Sequence, residues 1–487
     1  MILSDNQEQD FEIVIGLVAP IGTDLDRVVS AIENILRVYG YDSTQIRLSK
    51  LLRGGTIKSS NATEPSITGA NYYEDKMDLG DKLRARFKSG DAVAALTIAN
   101  IVGTRHSITN SHSQQRRHAW ILRSLKHEDE VKLLRTVYGS RFMLVGVHQD
   151  ESERAANLTR QVRYADPTNP NIQHKVTSLI ERDELDATSK LGQRVRETYS
   201  MADYFINMSA NLDTEISRFA SVIFGAPFET PTQDEQAMFH AYAESLRSAD
   251  PGRQVGAVIT KADGTILALG CNDVPIPDGG IPWPGNQQDA RDFRRGYDFN
   301  KQMTNQTMSE LLDVLAQGGA LAPELSNIRS EERLSKVLRL DEGKVGKTRA
   351  MSLIEFGRIS HAEMTAITSA ARAGVSVQGA WLYTTAFPCH MCMRLIIAAG
   401  VQRVIYVDPY PKSLAFDMYR EALTTSASDE DRVWVTPFWG ASWNIFQKAF
   451  KSKDRVRNAD GSFKLPSPLQ QRMKLAPTDP PLRGRRN

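Results

Sequence analysis

The strongest constraint on this chain is a pair of short segments, His361-Ala362-Glu363 and Pro388-Cys389-His390-Met391-Cys392. Both stand at the start of a helical run. Ala362 to Ala373 and Cys389 to Ala399 have helical character, the second stopped by Gly400, while Ala380 to Thr385 and Arg403 to Asp408 read as strands. A Cys-x-x-Cys at a helix start lets both sulfurs face one point, and the positive end of the helix favours thiolates. His361 comes from the start of a second helix, so the fold must bring two helix N-termini together. His361, Cys389 and Cys392 supply the three protein ligands of a catalytic zinc and leave one position for water. Glu363 is close to such an ion and is not needed as a ligand, which suits a general acid/base. A structural zinc site needs a fourth ligand. The chain has three cysteines, and the remaining one, Cys271, sits at the end of a strand-like run. A redox cysteine pair leaves His-Ala-Glu unexplained.

A chain of 487 residues is too long for one ordinary core. Residues 11–18 read as a buried strand, residues 19–23 as a loop and residues 24–39 as an amphipathic helix, the opening of an α/β domain. Further along, Asp91 to Ile101 is expected as a strand, residues 114–138 as a helix and Arg141 to Val147 as a strand. This alternation predicts a largely parallel sheet over residues 1–225, with a boundary at Gly225-Ala226-Pro227. Residues 226–450 form the expected second domain. Residues 451–487 are basic and rich in proline, which predicts a tail without regular structure, either solvated or binding a polyanion. The formal net charge of +2 gives no global field for nucleic acid. The apolar runs are too short to span a bilayer, and the polar, acidic N-terminus lacks the character of a secretory signal, so a cytoplasmic protein is expected.

The metal-ligand pattern, H-x-E followed by P-C-x-x-C, is the signature of zinc deaminases. Over residues 245–410 the chain resembles the cytidine and deoxycytidylate deaminase superfamily. Ser248 to Ile259 looks like the lead-in and first strand of deoxycytidylate deaminases, and Gly270-Cys271-Asn272-Asp273-Val274-Pro275 like their G-x-N-x-x-P. The resemblance extends to the two-domain bacterial anti-phage dCTP deaminases through Gly279 to Trp283, Arg291 to Asp298 and Pro409 to Ser413. It implies an α/β chain: a P-loop kinase-like parallel-sheet domain, then a cytidine deaminase-like α/β/α domain. It also implies a zinc-dependent hydrolase that converts dCTP, dCMP or both to the deoxyuridine nucleotide and ammonia, draining that pool during phage infection. By the same analogy Asn272 bonds the sugar hydroxyl or ring, and the backbone around Ala362 reads the base. Arg253, Arg294, Arg295 and Lys412 are candidates for phosphate, Arg253 and Lys412 foremost.

The first domain carries a weaker signal. Gly16, Gly22 and Thr23 stand after a strand and before a helix, in the frame of a phosphate loop, but Thr23 and Asp24 replace its Lys and Ser/Thr. The loop is expected to be a degenerate turn or a regulatory nucleotide site rather than a kinase centre. An inhibitory RNA partner is a further reading, for which Arg105, His106, His112, Arg116, Arg117 and His118 offer a basic stretch. The alternative function is a cytosine deaminase of RNA or single-stranded DNA, which needs a charged groove with aromatic platforms. Assembly into a homo-oligomer is expected from the deaminase class. A brake on activity is expected in the N-terminal domain or an RNA partner.

Overall fold

The computed structural model describes residues 12–54, 71–108, 117–167, 170–184, 186, 191–351, 353, 355–409, 413–451, 457–458, 460–463 and 466–471. The chain divides into two compact units. The first holds residues 1–239, 405–411 and 436–487, and the second residues 240–404 and 412–435.

The first sheet has the order β12-β5-β4-β1-β3-β2. Its strands are β1 (Ile13–Val18), β2 (Asp42–Arg47), β3 (His118–Arg123), β4 (Phe142–His148), β5 (Tyr204–Asn207) and β12 (Gly440–Ala441). Five run parallel, and β12 closes the edge antiparallel to β5. β1 is buried along its whole length, as expected of a central strand in a parallel sheet covered on both faces. Helix α1 (Leu25–Val38) follows it and buries Leu25, Val28, Val29, Ile32 and Leu36, one stripe at helical spacing. These side chains join Ile13, Ile15, Val145, Ile206, Phe219 and, from the far end of the sequence, Ala441 and Ile445 in one core. Helix α2 (Ile172–Glu184) packs Val176 and Leu179 against Ile21, Met77 and Leu158. This is the expected parallel-sheet architecture.

Two local expectations fail in this unit. Asp91 to Ile101 is not a strand but part of the helix Ala92–Ile108. Its run is rich in alanine, the strongest helix former, and is buried at Val93, Ala94, Thr97 and Ile101, so apolar character alone did not distinguish the two states. Residues 114–138 are not one helix. His118–Arg123 is β3, buried from His118 to Leu122, and the helix begins only at Glu128.

The second sheet is mixed, in the order β10-β11-β9-β8-β6-β7. Its strands are β6 (Gly256–Thr260), β7 (Ile266–Cys271), β8 (Trp381–Ala386), β9 (Arg403–Asp408), β10 (Leu423–Thr424) and β11 (Val433–Pro437). β6 is antiparallel to both β7 and β8. Helix α3 (Ala362–Arg372) packs on β7 and β6, and helix α4 (His390–Ala398) follows β8. The arrangement is an α/β domain, as expected. In the tail, Pro468–Gln470 forms one 3-10 turn; residues 472–487 lie outside the described residues. Among the described residues no helix is long and apolar enough to cross a membrane.

Candidate active site

The site is built from the first residues of α3 and α4. Cys389 is the N-cap of α4, with extended backbone at φ −67° and ψ 164°, and Cys392 is its third helical residue. An N-cap side chain folds back over the N3 position. The Cys-x-x-Cys spacing therefore places both sulfurs over the same turn. His361 is likewise the N-cap of α3, at φ −69° and ψ 159°. Its Nδ1 lies 3.4 Å from Cys389 Sγ and 3.3 Å from Cys392 Sγ. The three ligand atoms all lie within 4.8 Å of one another. Tetrahedral zinc with ordinary bond lengths separates nitrogen and sulfur ligands by about 3.6 Å. The donors thus fit zinc in number, chemistry and spacing.

α3 is held in place by small contacts. A Cβ on Gly270 in β7 would overlap the Ala362 carbonyl oxygen and the Ala366 nitrogen, so glycine is what lets the helix sit this close to the strand. The segment before α3 pairs with the segment after β7 through two backbone bonds, Asp273 N to Ser360 O at 3.2 Å and Ser360 N to Asp273 O at 3.0 Å. Ser413 Oγ donates to the Pro388 carbonyl at 2.9 Å, just ahead of the cysteines.

The titrating groups of the site are shifted in opposite directions by their contacts with one another and by burial. The Cys389 thiol is pulled down to about 4, first by the hydrogen bond from Cys392 and then by His361, against the effect of burial. Cys392 is pushed far above the ordinary thiol range by the same hydrogen bond and by burial. His361 is raised, chiefly by its hydrogen bond to Cys389. Glu363, the second residue of α3, is only 4% exposed. Its Oε2 accepts a hydrogen bond from Cys392 Sγ at 3.4 Å, and burial raises its carboxyl pKa. A buried carboxyl whose proton affinity is raised is suited to accept a proton from a neighbouring group.

The other anticipated residues are placed differently. Ala362, the first residue of α3, is fully buried. Asn272 is buried and bonded within the chain: its Nδ2 donates to Asp250 Oδ2 at 2.8 Å and to the Arg253 carbonyl at 2.7 Å, and its Oδ1 accepts from Val255 N at 2.6 Å. It thereby fixes the turn of residues 250–255. The Arg253 side chain is exposed. Arg294 is exposed and reaches Asp289 at 3.4 Å, while Lys412 lies outside the described residues. Asp273 was missed from sequence. It is 2% exposed, accepts from Ala249 N at 3.1 Å and Val274 N at 2.8 Å, and pairs with Arg291 at 3.5 Å. Nothing in its spacing marks it, because its partners come from three separate segments.

In the first unit, Gly16 lies inside β1, one residue farther from Gly22 than the phosphate-loop pattern requires. A Cβ on Gly16 would press on Leu125 and Phe142. Gly22 has φ +87° and sits tightly against the Arg154 carbonyl, so its conformation is one that favours glycine. Thr23 turns inward, its hydroxyl donating to the Pro20 carbonyl at 2.7 Å. Of the basic stretch, Arg105 pairs with Glu12, Arg117 donates to the Tyr39 and Leu469 carbonyls, and His118 is buried. His112, Arg116 and the His106 side chain lie outside the described residues.

Comparison with known proteins agrees with the geometry of the second unit. Residues 231–408 match the family model of the cytidine and deoxycytidylate deaminase zinc-binding region. The deoxycytidylate deaminase of Enterobacteria phage T2 is 42% identical over 53 residues, 11% of this chain and 28% of the phage protein. The chain thus spans little more than a quarter of that relative's length. Deoxycytidylate deaminase of Pongo abelii is 24% identical over 194 residues, 38% of this chain and 74% of that protein. Among solved structures, shikimate kinase from Acinetobacter baumannii covers 44% of this chain and 94% of its own at 14% identity, with a TM-score of 0.25. With its ligand triad and acidic neighbour inside the matched region, residues 231–408 of this chain are similar to the zinc-binding region of cytidine and deoxycytidylate deaminases.

Proposed function

We propose that this protein is a hydrolytic deaminase of deoxycytidine nucleotides, acting on dCTP, dCMP or both to give dUTP or dUMP and ammonia. The observation that carries this reading is the convergence of His361, Cys389 and Cys392 with a buried carboxyl, Glu363, against the same sulfur. Zinc, when bound by those three residues, activates water and polarises the reacting centre. Glu363 takes a proton from the attacking water and delivers it to ring N3; it then takes the proton of the hydroxyl now on C4 and passes it to the amino group, so that the C4–N bond breaks and ammonia leaves. Its burial supports the steps in which it accepts a proton, since a desolvated carboxyl gains proton affinity. The backbone at Ala362 reads the base. Asn272 holds the turn of residues 250–255 against the sugar, and Arg253 on that turn, with Lys412, meets the phosphates. Removing deoxycytidine nucleotides starves replication of a precursor, so we assign the activity to defence against phage in the cytoplasm. The protein works as a homo-oligomer restrained by its first unit or by a bound RNA.

The test is ammonia release from the zinc-loaded full chain given dCMP, dCTP, CMP, CTP and a cytosine oligonucleotide in parallel. Turnover confined to dCTP and dCMP is expected. Turnover of the oligonucleotide alone would overturn the assignment and make the enzyme an editor of nucleic acid.

A further inference from the structure

In the first unit, the loop between β1 and α1 presents the donors of an anion site. The Ile21 amide points at a carboxylate oxygen, Asp183 Oδ2, at 2.7 Å. Lys126 Nζ reaches the same group, at 2.8 Å from Oδ1 and 3.1 Å from Oδ2, and also donates to the Ala19 carbonyl at 3.0 Å. A loop amide and a lysine converging on one anion is the donor pair with which a phosphate loop grips phosphate. Here the lysine comes from the segment after β3 rather than from the start of α1, and the anion belongs to α2. Asp183 is 1% exposed.

The rest of the loop is tied to the chain. Asp24 N donates to Gln149 Oε1 at 2.9 Å, Asn157 Nδ2 donates to the Gly22 carbonyl at 3.0 Å, and Arg154 donates to the Ile21 carbonyl at 3.4 Å. These contacts hold the Ile21 amide in one orientation. Beside it opens a cavity of about 360 Å³ whose lining includes Ile21, Lys126 and Asp183. Its walls carry five basic side chains, Arg47, Lys76, Arg84, Arg123 and Lys126, against three acidic ones, Asp26, Glu130 and Asp183. The balance stays positive even with Asp183 in place. A larger cavity of about 820 Å³ adjoins the same loop at Gly22, Thr23 and Asp24. The crevice at the carboxyl ends of parallel strands is where ligands enter sheets of this kind.

We propose that Asp183 is a tethered stand-in for phosphate: it fills the anion site formed by Ile21 N and Lys126, and a phosphate-bearing ligand enters only by displacing it. Displacement removes the bonds that hold the C-terminal end of α2 to the loop, so entry of the ligand and release of that helix end are one event. The basic cavity supplies the attraction that draws a polyphosphate to the site.

The experiment uses the full chain, as wild type, Asp183→Ala and Asp183→Asn, titrated calorimetrically with inorganic triphosphate and with ATP. Removing the internal competitor should tighten triphosphate binding by at least about tenfold, the scale of one charge-assisted hydrogen bond. Lys126→Met in the Asp183→Ala background should abolish the gain. In the wild type, saturating triphosphate should speed amide exchange at the C-terminal end of α2. Tighter binding of ATP than of triphosphate assigns the ligand to nucleotides, and equal binding assigns it to the phosphate chain. Equal affinity in wild type and both variants, weaker binding in the variants, or no binding by any of the proteins overturns the proposal. Asp183→Asn keeps the size of the side chain and serves if Asp183→Ala does not fold.

Discussion

Two kinds of helix start carry the polar chemistry of this protein, and they are finished in opposite ways. At α1, the amides of the preceding loop and the helix cap find partners within the chain. Asp24 caps the helix through Arg27 N, the Ile21 amide has Asp183, and Asp24 N has Gln149. At α3 and α4 the N-cap positions are given to His361 and Cys389, neither of which makes a side-chain cap bond. Serine or aspartate there would stabilise each helix by about 1 kcal/mol. The helices forgo that stabilisation and place nitrogen and sulfur donors where they meet only one another. A helix start that forgoes its own capping leaves its side chains to a ligand from outside the chain; at α1 such a ligand must first displace a group of the chain itself.

That contrast can be broken most severely at Cys389. Cys389→Ser should lose bound zinc and all turnover, while the metal-free protein becomes more stable by about 0.5–2 kcal/mol because serine caps α4. Zinc content by mass spectrometry and chemical denaturation of the metal-free proteins check the two halves of this expectation, and a destabilised variant would contradict it. Next in size, Glu363→Gln should lower turnover by about 10²–10⁴-fold, the usual contribution of a general acid/base, with zinc content unchanged. Loss of zinc from that variant would make Glu363 a part of the metal centre instead. Gly270→Ala should cost about 1–3 kcal/mol by wedging α3 away from β7, and should lower zinc affinity because His361 rides on that helix. Unaltered zinc affinity would show that α3 can move without carrying its N-cap along. Smallest is Asp24→Ala, expected to cost about 1 kcal/mol of folding stability through the lost cap, with deaminase turnover untouched. A large fall in turnover would show that the start of α1 acts on the deaminase chemistry.

The metal centre was legible because its chemistry is local. Cys389 and Cys392 share one helical turn, and Glu363 follows His361 on another, so spacing alone states the geometry. The parallel sheet was legible in outline from alternating elements, but not where composition is ambiguous. Residues 92–108 and 118–123 are both apolar runs, and only the tertiary setting makes one a helix and the other a strand. β2 went unread because its sequence, Asp-Ser-Thr-Gln-Ile-Arg, has a single fully buried side chain. The Lys126–Asp183 pair and the Asp273–Arg291 pair were invisible for a different reason. Charged residues far apart in sequence carry no periodicity, and their partnership exists only after folding.

The antiparallel edge strand β12 has a consequence for how the protein is made. β5 leaves the ribosome more than two hundred residues before Gly440 and Ala441, which pair with it. Nascent chains fold progressively from their N-terminus. The first unit must therefore wait, with one sheet edge unpaired, through synthesis of the whole second unit. A ribosome that stalls or terminates before residue 440 releases a chain with an open sheet edge, which is a template for aggregation. Quality control of this protein is thus written into β12: only a chain translated past the second unit can complete the sheet with which it began.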